Sequence, residues 1–224
     1  MKVRRFEEFS AVSDELVEIL RSSMTGEMDS KQAVLLPGGA TPVPIYKAIE
    51  SNPFSASPNA CVIISDERYV SDQSDFYNYG KLEPMVNAIG IHKDNIIKVD
   101  TSLEYTESAV NFDKRISDFM EDGGVISLAV LGLGSDGHTA SLFSRHDIRA
   151  SEGRYAINVS ANDGPDRISV TPELLAQAEK VVILVAGESK TEIVQRLEDT
   201  PDEVIAGIAL AHAVDVEVWF SKRK

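Results

Sequence analysis

The chain has 224 residues with an ordinary globular composition, 43% hydrophobic and 26% charged, and its formal net charge is −14. The acidic excess disfavours nucleic-acid binding, which needs a basic face, and a single cysteine excludes a disulfide framework. No apolar run approaches the ~20 residues of a membrane span and the first residues lack a signal-peptide core, so we expect a cytoplasmic protein that binds neither membrane nor nucleic acid.

Strand-like and helix-like patterns alternate along the chain. Apolar side chains at helical spacing predict an amphipathic helix over residues 6–23. Later helices are expected over 41–50, 78–89, 101–122, from 171 onward, over 188–197 and over 201–213. Short, mainly apolar segments predict strands over 33–36, 61–65, 95–99, 126–131, 181–186 and 216–220. Two further strands are expected, over 155–160 from alternating apolar and polar residues and over the short extended segment 167–170.

The predicted strands indicate the class of fold. Most of them are continuously apolar rather than alternating, which is typical of a parallel sheet covered by helices on both faces. We therefore predict an α/β fold with a doubly wound, mostly parallel sheet of the Rossmann-like kind. The length suits one domain over residues 1–224, and we expect a monomer or a small homo-oligomer.

Local signals predict where several helices begin. Thr41 and Thr171 each precede a proline and are expected to be helix N-caps. Thr101 is expected to open a capping box with the glutamate three positions later. Residues 139–143 resemble the first turn of a helix, whereas the charged residues 144–154 are predicted to form a loop.

The run LGLGSDGHTASLF, residues 131–143, follows the predicted central strand. Its three glycines allow a sharp turn and a close approach to a ligand. Asp136 and His138 add an acid and a base two residues apart. A strand followed by a glycine turn and polar side chains is the layout of a site at the carboxyl edge of a parallel sheet.

Four other interpretations of this run and of motifs elsewhere are disfavoured. GxGxxG formally matches a dinucleotide fingerprint, but it lies mid-chain, and no acidic residue stands at the expected place about 20 positions on. Ser135 is not a nucleophile elbow, because position 133 is leucine rather than glycine. Lys190 lacks the preceding glycine of a phosphate loop. The histidines show no metal-ligand spacing, so we expect no metal.

Charged and glycine-rich segments elsewhere are candidates for anion binding. Residues 38–41 lead into a predicted helix N-terminus, which either binds an anion or forms a plain tight turn. Asp66 and Arg68 follow a predicted strand in what is either a functional or a merely solvated loop. Arg167 begins a strand, and Lys190 lies near a helix N-terminus, where a bound anion would offset the unfavourable dipole.

Together these segments resemble the 6-phosphogluconolactonases of the glucosamine-6-phosphate isomerase/6-phosphogluconolactonase superfamily. The resemblance spans most of the chain and is carried by PGGATP (37–42), DER (66–68), NY (78–79), residues 132–143, RISVT (167–171) and GESK (187–190). It departs from the family pattern at Ala40, where serine is common. The resemblance implies a doubly wound α/β domain and hydrolysis of 6-phospho-D-glucono-1,5-lactone, a phosphorylated sugar lactone, in the oxidative pentose phosphate pathway, without a cofactor.

The resemblance also implies roles for individual residues. We expect His138 to be the general base, with Asp136 either holding its imidazole or only shaping the turn. Arg68 would stabilise negative charge on the carbonyl oxygen or pair with a carboxylate, and Asp66 would orient the sugar hydroxyls or Arg68. The residues expected to bind the substrate and its phosphate are Gly38, Gly39, Ala40, Thr41, Asn78, Arg167 and Lys190.

Two alternative functions remain open. Glucosamine-6-phosphate deamination and isomerisation uses a similar loop and DGH core, but Arg68 stands where the deaminases typically carry tyrosine, and residues 139–143 lack their Asn-Glu-Pro. A non-catalytic sugar-phosphate-sensing module would need an attached DNA-binding domain, for which we expect no room in the short N-terminus.

Overall fold

The computed structural model describes residues 1–161 and 164–223. Seven strands form one parallel sheet in the order β1-β10-β9-β6-β2-β3-β5, and three form a small antiparallel sheet in the order β4-β8-β7. In chain order the strands are β1 (Lys2–Phe6), β2 (Gln32–Leu36), β3 (Ala60–Ile64), β4 (Asp66–Arg68), β5 (Ile96–Ile97), β6 (Val125–Gly132), β7 (Ala156–Val159), β8 (Arg167–Val170), β9 (Val181–Ala186) and β10 (Val216–Ser221).

Helices flank the parallel sheet. They are α1 (Phe9–Met24), α2 (Val43–Ser51), α3 (Glu83–Ala88), α4 (Tyr105–Glu121), α5 (Arg145–Ala150), α6 (Pro172–Leu175), α7 (Thr191–Asp199) and α8 (Ile205–Ala209). Every residue of β3 is buried, although successive side chains point to opposite faces, so both faces of the sheet are covered there. The α/β prediction is confirmed. In the part of the chain described, no helix is long and apolar enough to cross a membrane.

The order of the strands contains a topological switch point. From the adjacent pair β2 and β6, the chain builds outward through β3 and β5 on one side and through β9 and β10 on the other. In sheets of this kind, a crevice opens beyond the carboxyl ends of the two strands where the direction of winding reverses. The fold therefore places the segments that follow Leu36 and Gly132 on either side of one crevice.

The N-terminal strand β1 was not predicted. Its sequence KVRRF carries three cations and gives no apolar run, because β1 is an edge strand that pairs only with β10. The guanidinium of Arg4 lies over the rings of Phe6 and Trp219 and pairs with Glu15, so a charged side chain covers buried apolar surface. The helix predicted from residue 6 consequently begins at Phe9.

The second sheet was also missed. Residues 66–68, predicted to be a charged loop, form β4 and pair antiparallel with β8, in the register Asp66 to Ser169 and Arg68 to Arg167. Three residues carry too little periodicity to predict a strand. This pairing brings residues about a hundred positions apart to the same edge of the crevice.

Two predicted helix starts were wrong and one was confirmed. The helix after Thr41 begins only at Val43, with no side-chain cap, and α4 begins at Tyr105 without the capping bond expected from Thr101. The Thr171 hydroxyl does accept a hydrogen bond from the Leu174 N–H, as predicted.

The segment after the glycine turn also differs from its prediction. Residues 139–143 form a tight turn closed by a bridge between Thr139 and Leu142, with Ala140 at a φ of 47°, and no helix. The helix α5 instead lies within residues 144–154, where a loop was expected. It is stabilised by a capping box between Ser144 and Asp147.

Candidate active site

A cleft of about 320 Å³ lies at the switch point, beyond the carboxyl ends of β2 and β6. Most of the predicted site residues line it, and they come from four neighbouring strand ends and from the second sheet. These are Gly39, Thr41, Asp66, Arg68, Asn78, His138, Arg167 and Lys190. Asp136, Gly38 and Ala40 are not among the lining residues, although the first two contact residues that are.

His138 and Asp136 form a close pair at the end of β6. The Nδ1 atom of His138 lies 2.6 Å from Oδ1 of Asp136, and the ring of Phe143 packs edge-on with its centroid 4.8 Å away. Burial opposes ionisation of Asp136, but attraction to His138 and the hydrogen bonds from it prevail and lower the pKa of Asp136. When Nδ1 donates to this carboxylate, Nε2 is left as the basic atom of the imidazole.

Two glycines of this turn have no room for a side chain. A Cβ atom at Gly134 would lie 2.2 Å from Nδ1 of His138 and 2.3 Å from Oδ1 of Asp136. Gly137 has a φ of +92°, and a Cβ there would meet Val204 at 2.8 Å. The backbone N–H of Gly134 donates to the carbonyl of His138 over 2.8 Å, which closes the turn. The absence of a side chain at Gly134 thus lets the backbone of the loop pack against His138 and Asp136.

Asp66 is held by two serine hydroxyls. Its Oδ1 accepts a hydrogen bond from Ser65 (2.6 Å) and its Oδ2 one from Ser141 (2.7 Å). The N–H of Ser141 donates in turn to the hydroxyl of Ser169, the residue opposite Asp66 across β4 and β8. Ser141 lines the cleft but was missed, because a loop serine has no periodic pattern and its partner lies in the unpredicted second sheet.

Arg68 and Arg167 stand directly opposite each other on β4 and β8. Arg68 donates to the carbonyl of Phe76 over 3.1 Å, and Arg167 donates to the carbonyl of Pro165. Burial lowers the pKa of Arg167, and repulsion by Arg68 adds to this effect. Within residues 1–161 and 164–223, neither arginine has a carboxylate oxygen within 4.0 Å. This pair is therefore suited to an anionic ligand.

Lys190 and the turn after β2 complete the walls. The Nζ atom of Lys190 donates to the carbonyl of Leu133 over 2.7 Å, which directs the cation across the end of β6. Gly39 has open space around its Cα, whereas a Cβ at Gly38 would lie 2.3 Å from the Cβ of Asn78. Gly38 therefore packs against Asn78 behind the cleft, and Gly39 is the more accessible of the two.

Asn78 is buried at the edge of the cleft and is only partly satisfied. Its Nδ2 donates to the backbone carbonyl of Asp66 over 3.0 Å. Its Oδ1 is buried and has no hydrogen-bond partner among the described residues. An acceptor without a donor is costly in the interior, so this amide is suited to a ligand hydroxyl. In the described residues, no three His, Cys, Asp or Glu side chains converge as metal ligands.

Comparison with known proteins gives the family. The model of the glucosamine-6-phosphate isomerases/6-phosphogluconolactonases matches residues 7–219. The chain belongs to this family. Among its members, the 6-phosphogluconolactonase of Aggregatibacter actinomycetemcomitans is 32% identical over 174 residues, 76% of this chain and 75% of that protein. The 6-phosphogluconolactonase of Thermotoga maritima is 30% identical over 194 residues, 84% of this chain and 86% of that protein.

Solved structures of the family superpose over the whole chain. The crystal structure of the Thermotoga maritima 6-phosphogluconolactonase covers 100% of this chain and 99% of that one, with a TM-score of 0.82 and 27% identity. A monomeric glucosamine-6-phosphate deaminase also superposes, with a TM-score of 0.75 over 99% of this chain and 98% of that one, but at 16% identity, which shows a shared fold alone. The resemblance inferred from the sequence is confirmed at the level of the family.

Proposed function

We propose that this protein hydrolyses 6-phospho-D-glucono-1,5-lactone to 6-phospho-D-gluconate, the second step of the oxidative pentose phosphate pathway. The observation that carries the proposal is one cleft that combines the His138–Asp136 pair with two arginines, Arg68 and Arg167, which lie opposite each other on β4 and β8. A base suits water activation, and cations suit both a phosphate and a developing oxyanion. The names of the relatives at about 30% identity support the same activity.

In the proposed reaction, His138 acts first as base and then as acid. Water adds to the lactone carbonyl carbon while its proton passes to Nε2 of His138, and Asp136 stabilises the resulting imidazolium. The tetrahedral oxyanion then collapses and the bond from this carbon to the ring oxygen breaks. The ring oxygen receives the proton from His138. No covalent intermediate is needed, and no cofactor takes part.

Arg68 is the proposed stabiliser of the oxyanion, since its charge is permanent and is not used by a carboxylate among the described residues. The phosphate is proposed to bind Arg167, Lys190 and the backbone N–H groups of residues 39–41. An anion between Arg68 and Arg167 would also relieve their mutual repulsion.

Asp66 and Asn78 are proposed to bind the sugar hydroxyls. Oδ1 of Asp66 accepts one serine hydroxyl and has a second lone pair available, whereas Oδ2 accepts from Ser141 and, over 3.5 Å, from Nδ2 of Asn78. The unpartnered Oδ1 of Asn78 needs a donor, which a hydroxyl supplies and an ionised phosphate does not. These two residues would therefore select a polyol rather than any phosphate.

The test is an assay in which the lactone is generated in place by oxidation of glucose 6-phosphate, at slightly acidic pH, where spontaneous hydrolysis is slower. We expect His138→Ala to lower kcat by about 10²–10⁴-fold. His146→Ala, which alters an exposed histidine of α5 outside the cleft, should retain the wild-type rate. Turnover by His138→Ala close to wild type would refute the assignment of the base.

The same preparation distinguishes the alternatives. Ammonia release from glucosamine 6-phosphate without lactone hydrolysis would identify a deaminase. Binding of 6-phosphogluconate or glucosamine 6-phosphate without turnover of either substrate would favour a sensor. We expect lactone hydrolysis and no ammonia.

A further inference from the structure

Glu67 is a buried carboxyl group that the proposed reaction does not use. It lies between the cleft residues Asp66 and Arg68 on β4, is 1% exposed and does not itself line the cleft. Because successive side chains of a strand point to opposite faces, Glu67 is directed behind the wall that its two neighbours form. A carboxyl group is expensive to bury unless its oxygens accept hydrogen bonds.

Three backbone N–H groups satisfy this carboxyl group. Its Oε1 accepts from the N–H of Arg68 (2.9 Å) and of Asn78 (2.6 Å), and its Oε2 accepts from the N–H of Tyr79 (2.9 Å). Two of the donors lie more than ten positions along the chain, beyond the irregular segment that follows β4. Glu67 therefore binds the backbone of Asn78 and Tyr79 to β4 of the second sheet.

The segment that Glu67 binds forms part of the cleft. Asn78 lines the cleft and packs closely on Gly38. A Cβ atom added at Gly38 would lie 2.3 Å from the Cβ of Asn78. Its Nδ2 also donates to the backbone of Asp66. A shift of Asn78 would therefore move the turn after β2 or the strand that carries Asp66 and Arg68.

We infer that Glu67 is a positioning residue, which holds Asn78 between the glycine turn after β2 and the strand carrying Asp66 and Arg68, and so sets the width of the sugar-phosphate cleft. The inference rests on the proposed function and deepens it, since it assigns a role in substrate binding. His138 and Asp136 lie on a different loop, after β6, and the hydrogen bonds of Glu67 go to other residues. Loss of the carboxylate should consequently raise KM more than it lowers kcat, because Asn78 is displaced directly whereas the base on the other loop is not.

Glu67→Gln is the sharpest variant, because it keeps the shape of the side chain. The amide oxygen can still accept from Arg68 and Asn78, but the new NH₂ group faces the N–H of Tyr79, so one of the three hydrogen bonds is lost. We expect KM for the lactone to rise about tenfold, the order expected for the loss of one buried hydrogen bond, with a smaller fall in kcat. Glu67→Leu, which loses all three bonds, should raise KM further.

Two companion variants separate this role from general destabilisation. Glu83→Gln alters an exposed carboxylate at the start of α3 and should leave KM and kcat unchanged. Gly38→Ala displaces Asn78 from the opposite side without touching Glu67, and should also raise KM more than it lowers kcat. A fall in kcat with KM unchanged in both Glu67→Gln and Gly38→Ala would overturn the inference, as would wild-type kinetics in both.

Backbone amide exchange tests the inference without any substrate. In the unliganded protein, we expect the amide hydrogen of Tyr79 to exchange at least tenfold faster in Glu67→Gln than in wild type, and those of both Asn78 and Tyr79 to do so in Glu67→Leu, with unchanged exchange in the central strands. Equal exchange at these two positions would refute the positioning role even if the enzyme proved inactive on the lactone. If the wild type fails to hydrolyse the lactone while the Glu67 variants show the expected faster exchange, the proposed function alone is refuted.

Discussion

Replacing Gly134 by alanine would test whether the geometry of the His138–Asp136 pair sets the rate. The new Cβ would lie 2.2 Å from Nδ1 of His138, whereas an ordinary contact is at least 3.4 Å, so the imidazole must move by about 1.2 Å. The same Cβ would lie 2.3 Å from Oδ1 of Asp136. Both members of the pair must therefore move away from it, and neither can keep its present position. The substitution therefore displaces the proposed base without removing it.

A displacement of about 1 Å at a catalytic group costs on the order of 10²-fold in rate, or about 2.7 kcal/mol of transition-state stabilisation. We expect kcat of Gly134→Ala for the lactone to fall about 100-fold, with a much smaller change in KM, because Arg167 lies on β8 and Lys190 contacts this turn only at the carbonyl of Leu133 among the bonds described. Gly80→Ala is the matched control, since its Cβ would meet only Tyr77, at 3.5 Å. A folded Gly134→Ala enzyme with kcat within threefold of wild type would refute the reasoning.

Three further predictions concern binding and stability. Lys190→Ala should raise KM for the lactone about tenfold or more with little change in kcat, and a lowered kcat at unchanged KM would contradict a phosphate role. Ser141→Ala removes one of two hydroxyls that hold Asp66 and should lower kcat/KM about five- to tenfold, with unchanged kinetics counting against it. Burial raises the pKa of Glu67 from 4.5 to about 7, so its native state retains a proton that the unfolded state loses. The free energy of unfolding of wild type, measured with denaturant, should therefore fall by up to about 3 kcal/mol relative to that of Glu67→Gln as the pH rises from 4.5 to 7. Parallel curves of stability against pH would contradict this.

The strands that the sequence predicted most clearly are those with unbroken apolar runs, such as β3 and β9, because their burial on both faces leaves a strong compositional signal. β1 was missed because an edge strand pairs on one side only and tolerates Lys2, Arg4 and Arg5. The helix starts at Thr41 and Thr101 were wrong, since a capping residue type is only a weak signal when the chain direction is set by packing.

The candidate site was predictable where its residues follow strands. Asp66, His138 and Lys190 could each be placed after a strand, and the winding of a parallel sheet brings such ends together. Ser141 and Glu67 were not predicted, because their partners depend on the pairing of β4 with β8 and on a loop conformation without periodicity. The chemical roles assigned to these residues stay predictions until the variants are measured.

The position of the cleft at the switch point has a consequence for folding thermodynamics. One wall of the cleft is formed by segments that follow β2 and β3, and the other by segments that follow β6 and β9. The pairing of β4 with β8 likewise joins an early segment of the chain to a late one. No contiguous half of the chain therefore contains a complete binding site. Any ligand that binds here contacts both halves of the chain. At 100 times its Kd it should add about 2.7 kcal/mol to the free energy of global unfolding. Its protection should appear in β3 and β9 together rather than in one half first.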